Sequence, residues 1–262
     1  MRKKYSILKK MLVFGAIMLF FGASTIPAIN NKTESINVIE KVENPSPDIE
    51  TFYPTHDAYI KHDKPNDNLG SHEYFNTRNE YGAYGSPHWE WDGLVMFDIT
   101  SIPRRANIIS AKLNIYYFDY WDYNPVNRPL RLFRVTSNWD EKTVTWNTQP
   151  TYAPQSSASA QVPSIYTWMV WDVTSDVQDF VAGEETNYGW KVTDDNYWGF
   201  FDIPTARFRT KEYSGNGDEY KPYLEIEFTR ARSRDITNHI FLQFLERFPN
   251  LFPILRNLLG FQ

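Results

Sequence analysis

The stretch AKLNIYYF, Ala111 to Phe118, alternates between two kinds of side chain: Ala111, Leu113, Ile115 and Tyr117 fall on one face, Lys112 and Asn114 on the other. A period of two predicts a half-buried β-strand, because successive side chains of an extended chain point to opposite sides. Working outward, PYLEIEF repeats the pattern, with Leu224, Ile226 and Phe228 set against Glu225 and Glu227. GLVMFDI, PLRLFRV, YTWMVWDV and ARFRTKEY add four β-rich runs, separated by Pro, Gly, Asn and Asp, residues that punctuate strands. Many short strands without alternating helices predict an all-β fold, a β-sandwich of the jelly-roll type. TVTW, Thr143 to Trp146, is made of good strand formers and predicts one more strand after a turn at 140–142. A single short helix is expected over TSDVQDFVAG, with Ser175 as N-cap, Gln178 three residues on, apolar Val177, Phe180 and Val181, and Gly183 as the stop.

The ends differ from this body. Residues 1–28 open with Arg2, Lys3, Lys4, Lys9 and Lys10, pass through MLVFGAIMLFFGA and finish in small residues, the layout of a secretory signal peptide with a helical apolar middle. That middle falls short of the roughly 20 apolar residues of a spanning helix, so cleavage is favoured over a retained anchor. Residues 29–50 are polar, carry Pro45 and Pro47, and read as a linker. Residues 51–228 suit one domain. In the tail, 229–262, Ile236, Ile240, Phe244 and Phe248 recur every four residues beside Phe241 and Leu245. This predicts an amphipathic helix, for which residues 236–260 offer a membrane-surface or protein-docking contact.

The chain has no cysteine, which excludes disulfides and thiol chemistry. Its net charge is −5; the basic leader and tail hold the positive excess, leaving −13 on residues 29–228. A body that acidic repels a polyphosphate and argues against nucleic acid as partner.

Several blocks together resemble the DNRLRE domain, a carbohydrate-binding module related to disaggregatase-type repeats. They are HDAYIKHDKPNDNLGS, VMFDITSIPRRANIISAKLNIY, NWDEKTVTWNTQP, WDVTSDVQDFVAGEETNYGWKV and ARFRTKEYSGNGDEYKPYLEIEF, in that order across 51–228. The resemblance implies a jelly-roll sandwich that binds polysaccharide, with no catalysis, in a secreted or extracellular cell-surface setting. Fold alone does not establish that function.

Sugar recognition needs flat aromatic faces with polar groups at their rim. Two aromatic clusters lie outside the clean alternation and read as loops: Trp89 and Trp91 in HWEWDG, and Tyr120, Trp121 and Tyr123 with Arg128 in YFDYWDYNPVNR. The alternative is that these rings cap the ends of the sandwich. Arg207 and Arg209 flank Phe208 and share the face opposite it, beside Lys211, with Arg131, Lys112 and Arg128 as extensions of a basic strip. Arginine suits bidentate contact with uronate carboxylates, so an acidic polysaccharide is the candidate partner. Ordinary surface ion pairs are the alternative.

No cofactor is expected. Calcium is considered at Asp63, Asn66, Asp67 and Asn68, and at Asp194, Asp195 and Asn196, although turn chemistry explains such residues beside Pro and Gly. Asp140 and Glu141 are adjacent and diverge in extended chain, unlike a glycosidase pair. Two rivals stand beside the binding module: a structural or adhesion module of a surface layer that docks through its tail, and a polysaccharide lyase or glycosidase.

Overall fold

The computed structural model describes residues 46–80, 89–196, 202–215 and 219–230. The leader, the linker up to residue 45 and the tail beyond Arg230 lie outside the described residues. Within them the chain is mostly β, with eleven strands and one helix, and no helix is long and apolar enough to cross a membrane.

In chain order the strands are β1 (Asp48–Phe52), β2 (Pro54–Lys61), β3 (Tyr74–Glu80), β4 (Trp89–Phe97), β5 (Asn107–Tyr120), β6 (Pro129–Arg134), β7 (Ala158–Gln161) and β8 (Thr167–Asp172); after helix α1 (Thr174–Ala182) come β9 (Trp190–Thr193), β10 (Ala206–Arg209) and β11 (Tyr223–Thr229). All pairings between them are antiparallel. They make one curled sheet in the order β1-β11-β5-β10-β3-β4-β9-β6-β7, with β8 also on β5 and β2 also on β4.

The alternation of β5 sets the inside. Ala111, Leu113, Ile115 and Tyr117 are fully buried, joined by Met169 and Trp171 of β8 and by Leu224, Ile226 and Phe228 of β11. The other half of the sheet supplies Val95, Phe97, Leu130, Leu132, Trp190 and Val192 to the same core. The indole of Trp171 donates to the Leu130 carbonyl at 3.1 Å, so even the largest core ring has its polar atom satisfied. Strand β3 joins the halves: it pairs with β10 on one side and with the start of β4 on the other. Where β3 peels away from β4, a Cβ on Gly93 would lie 2.4 Å from the Phe75 ring. Only the smallest residue admits that approach.

Helix α1 closes one end of the core with Val177, Phe180 and Val181. Its start is held by Asp172, whose Oδ1 accepts from the Thr174 backbone at 3.0 Å and from its hydroxyl at 2.6 Å. The N-cap position falls on Val173, without a side-chain cap bond, instead of on the expected Ser175, and Gln178 accepts from the Ile108 amide at 3.0 Å. Gly183 ends the helix in the left-handed region, as expected.

TVTW is not a strand. The amides of Thr143 and Val144 both return to the Asp140 carbonyl, and Asn68 Nδ2 donates to the carbonyls of Glu141 and Val144. Turn bonds take the backbone groups a ladder would need, while Val144 and Trp139 pack on Ala58, Ile60 and Leu94 across the back of the sheet.

Near this patch lies a buried ion pair. Lys191 Nζ sits 2.9 Å from Asp92 and 3.5 Å from Glu90, with the rings of Tyr152 and Trp146 at 4.6 and 5.7 Å. Burial pushes the Asp92 carboxyl up to about 6 against the pull of the ammonium. Burial also opposes the Lys191 charge, but Asp92 and Glu90 outweigh it and hold the ammonium above its ordinary range. At neutral pH both partners are therefore charged. Lys191→Met is expected to cost about 3 to 5 kcal/mol at pH 7.5, since it strands a buried carboxylate. Losing Lys191 raises the folded-state pKa of Asp92 further, so the penalty belongs to the ionised form: it shrinks as pH falls from 7.5 towards 6 and levels off below 6, where Asp92 is protonated in both proteins. Urea titrations of variant and wild type across that range would show the gap narrowing; a constant gap would contradict the assignment.

Candidate functional site

Two rungs of β4 and the end of β5 build a stack of three indoles. Trp89 and Trp91 lie 5.8 Å apart and 19° from parallel, and Trp121, just past β5, lies on the other side of Trp91 at 5.5 Å and 18°. Trp91 is buried and donates from Nε1 to Asp63 at 2.5 Å. Trp121 is 42% exposed. The two rings first read as loop residues thus belong to a strand.

Arg78 of β3 secures the stack. Its guanidinium sits 4.9, 5.4 and 5.8 Å from the ring centres of Trp121, Trp91 and Trp89. Its nitrogens donate to Glu80 at 2.6 and 3.0 Å, to Asp122 at 3.1 Å and to the Thr205 hydroxyl at 2.8 Å. Asp122 holds a left-handed conformation, φ 65°.

Beside the stack opens a cleft of about 290 Å³, lined by Tyr59, Lys61, Lys64, Leu69, His72, Tyr74, Asn76, Trp91, Trp121 and Arg207. Its cations come from β2, the following loop and β10. Lys61 lies 4.3 Å from the Trp91 ring and 3.5 Å from Asp63. Arg207 bonds Asp119 at 3.0 Å and lies 5.3 Å from the Tyr74 ring. The cleft therefore pairs ring faces with cationic hydrogen-bond donors.

Behind the cleft, strand β2 is tied down by a charge cluster. The Lys211 ammonium reaches Glu141 at 2.8 Å and also contacts Glu212; its backbone amide donates to Asp57 Oδ2 at 2.7 Å, and the Asp57 amide donates to Glu141 at 2.9 Å. Burial, reinforced by Glu212, raises the Asp57 carboxyl well above the carboxylate range. Burial works against the Lys211 charge as well, but the hydrogen bonds its ammonium donates to Glu141 and Glu212 keep its pKa raised. Asp57, Glu141 and Glu212 are close enough to share a cation, and the ammonium stands among them.

The sequence-derived candidates divide. Trp91, Trp121 and Arg207 meet in the cleft, and Trp89 supports them. Tyr120 and Tyr123 are exposed, at 39% and 53%, on the segment that carries Trp121. Arg209 stands over Phe118 and Tyr213. Arg128 faces Asp194 at 3.7 Å and Arg131 bonds Asp195 at 2.6 Å, so these two do not extend a strip to the cleft. The same pairs employ the second proposed calcium cluster. In the first, Asp63 serves Trp91, Asn66 accepts from Asn147 at 2.9 Å, and Asn68 bonds backbone. Tyr59, Lys61, Lys64, His72, Tyr74, Asn76 and Arg78 were missed. The period of two in DAYIK, which puts Tyr59 and Lys61 on one face, was the available signal.

Arg78→Lys keeps the charge but not the planar fork. It is expected to cost about 1 to 3 kcal/mol and to alter the near-UV circular dichroism of the indoles. Unchanged stability and spectrum would show that the guanidinium does not hold the stack.

No curated protein matches the chain. Residues 48–228 match carbohydrate-binding module family 96, the class of module that the resemblance implied. Since that match covers well over half of the sequence and begins at the first residue of β1, the chain belongs to carbohydrate-binding module family 96.

Proposed function

We propose that the cleft binds an acidic polysaccharide and that the protein does so without catalysis. The observation that carries this is the exposed indole of Trp121, held parallel on a buried partner, beside Lys61, Lys64 and Arg207. A pyranose presents an apolar face to such a ring, while uronate carboxylates take charge-assisted hydrogen bonds from the cations. Rings that merely cap a sandwich end are buried, as Trp91 is. Within the stack of three indoles, Trp121 is the exposed member.

Around this activity we read the rest of the chain as export and placement. Residues 1–28 act as signal peptide and the stretch from 29 as linker, ending earlier than the expected residue 50 because β1 begins at Asp48; the curled sheet is a jelly-roll, and the tail makes a membrane-surface or protein contact. The protein then works in a secreted or cell-surface setting.

Affinity electrophoresis of the whole chain through polygalacturonate, alginate, dextran and hydroxyethylcellulose tests the reading. Retardation is expected in the polyuronates and should weaken as salt rises. Trp121→Ala should lower affinity at least tenfold, about 1.4 kcal/mol. Equal retardation by neutral and acidic gels, or an unaffected Trp121→Ala, would sink the assignment; release of reducing ends or unsaturated sugars would overturn the absence of catalysis.

A further inference from the structure

The outer face of the sheet around β5 carries rings where an exposed strand face ordinarily carries polar groups. Tyr116 and Phe118 of β5, Trp168 of β8 and Tyr223 of β11 alternate with the core residues Tyr117, Met169 and Leu224, so they point away from the interior. Each is half-buried.

These rings form a line that begins in the cleft. Phe118 lies 6.3 Å from Tyr74, which lines the cleft. Arg209 is two residues from the cleft's Arg207 on the same face of β10, and its guanidinium bridges Phe118 at 3.5 Å and Tyr213 at 3.8 Å. From Tyr213 the series continues to Tyr220 at 6.3 Å, and Tyr220 packs on Tyr116 at 4.3 Å. Trp168 follows at 5.2 Å from Tyr116, then Tyr223 at 4.9 Å from Trp168. The line ends at a depression of about 390 Å³ formed by Thr51, Tyr53, Glu219, Lys221 and Tyr223. Tyr53 there is 56% exposed.

We propose that this face is the continuation of the polysaccharide site, a track along which the glycan chain held in the cleft extends over the outside of the sheet. The inference rests on the cleft's being a glycan site. Two features select a sugar chain over a protein as occupant. The rings run in single file out of the cleft instead of forming one apolar patch, which suits a linear polymer. They are also interleaved with Arg209, which bridges Phe118 and Tyr213, and with Lys221 beside Tyr53 and Tyr223, groups that donate to hydroxyls and carboxylates while the rings take the apolar faces.

The test titrates the whole chain with polygalacturonate and alginate, each as long polymer and as trisaccharide. Wild type, Trp121→Ala, Trp168→Ala and Tyr53→Ala are compared, with sedimentation velocity on each. Tyr53 is exposed, so its variant reports even if Trp168→Ala fails to fold. The track variants are expected to bind trisaccharide as wild type does while losing about tenfold or more in affinity for the long polymer, because a second contact on one chain multiplies its binding. Trp121→Ala should lose both. Wild-type affinity for long polymer in both track variants, with Trp121→Ala still impaired, overturns the track and leaves the cleft standing. Absence of wild-type binding to every probe overturns the cleft reading and the track with it. A shift in oligomeric state with unaltered glycan affinity assigns the face to self-contact and also overturns the proposal.

Discussion

The seating of the Phe75 ring on the bare backbone of Gly93 is the constraint on which the rest depends. There β3 leaves β4 and goes to β10, turning two half-sheets into one curled surface. Phe75 then stacks on Phe208 of β10 at 5.3 Å, joining the core from its far side. Because side chains alternate along β3, the same strand presents Tyr74, Asn76 and Arg78 to the opposite face. Those are a wall of the cleft and the residue that holds its indoles. The cleft is thus the reverse side of a packed core, and its geometry inherits the core's rigidity.

Three buried or half-buried cations organise what surrounds it. Arg78 ties β3 to the segment around Asp122 and to Thr205; Lys211 ties the residues after β10 to Glu141 and, through its amide, to β2; Lys191 ties β9 to β4. Buried ion pairs add little stability over apolar packing, because desolvation offsets the attraction. Their directional bonds do fix where elements distant in sequence sit relative to one another. Here the bonds converge on the strands that carry the cleft residues, so their effect is on its shape. Glu141, in the turn after Asp140, works in this way: it accepts from the Asp57 amide of β2 and from Lys211.

The strands were legible wherever one face is apolar and the other solvated, as in β5 and β11. Strand β4 was legible only in its second half, within GLVMFDI; its start read as loop because Glu90 and Asp92 break the apolar pattern, and Asp92 is buried with Lys191, a partner more than ninety residues away that no local pattern reveals. The opposite error at Thr143 to Trp146 has the same kind of origin. Strand-forming side chains were overruled by turn bonds to Asp140 and by Asn68, which lies far upstream. At the site, Trp121 and Arg207 were legible as residue types, but the cleft's cations were not legible as a set. Lys61, Lys64 and Arg207 are contributed by a strand, a loop and a second strand that only the curl brings together.

The charge balance gives the cleft its physical character. Residues 29–228 carry −13, which alone would repel a polyuronate, yet the cleft gathers positive groups beside a ring face. At physiological ionic strength the field of the distant carboxylates fades over about 8 Å. A glycan segment inside the cleft therefore responds mainly to the groups that touch it, whereas a segment held away from the surface meets a weak net repulsion. On the proposed function, attraction would then be confined to chains that fit, and indiscriminate adsorption of polyanions would be suppressed. Specificity of this kind comes from excluding wrong partners as much as from holding the right one, which reconciles so acidic a domain with the acidic ligand proposed for its cleft.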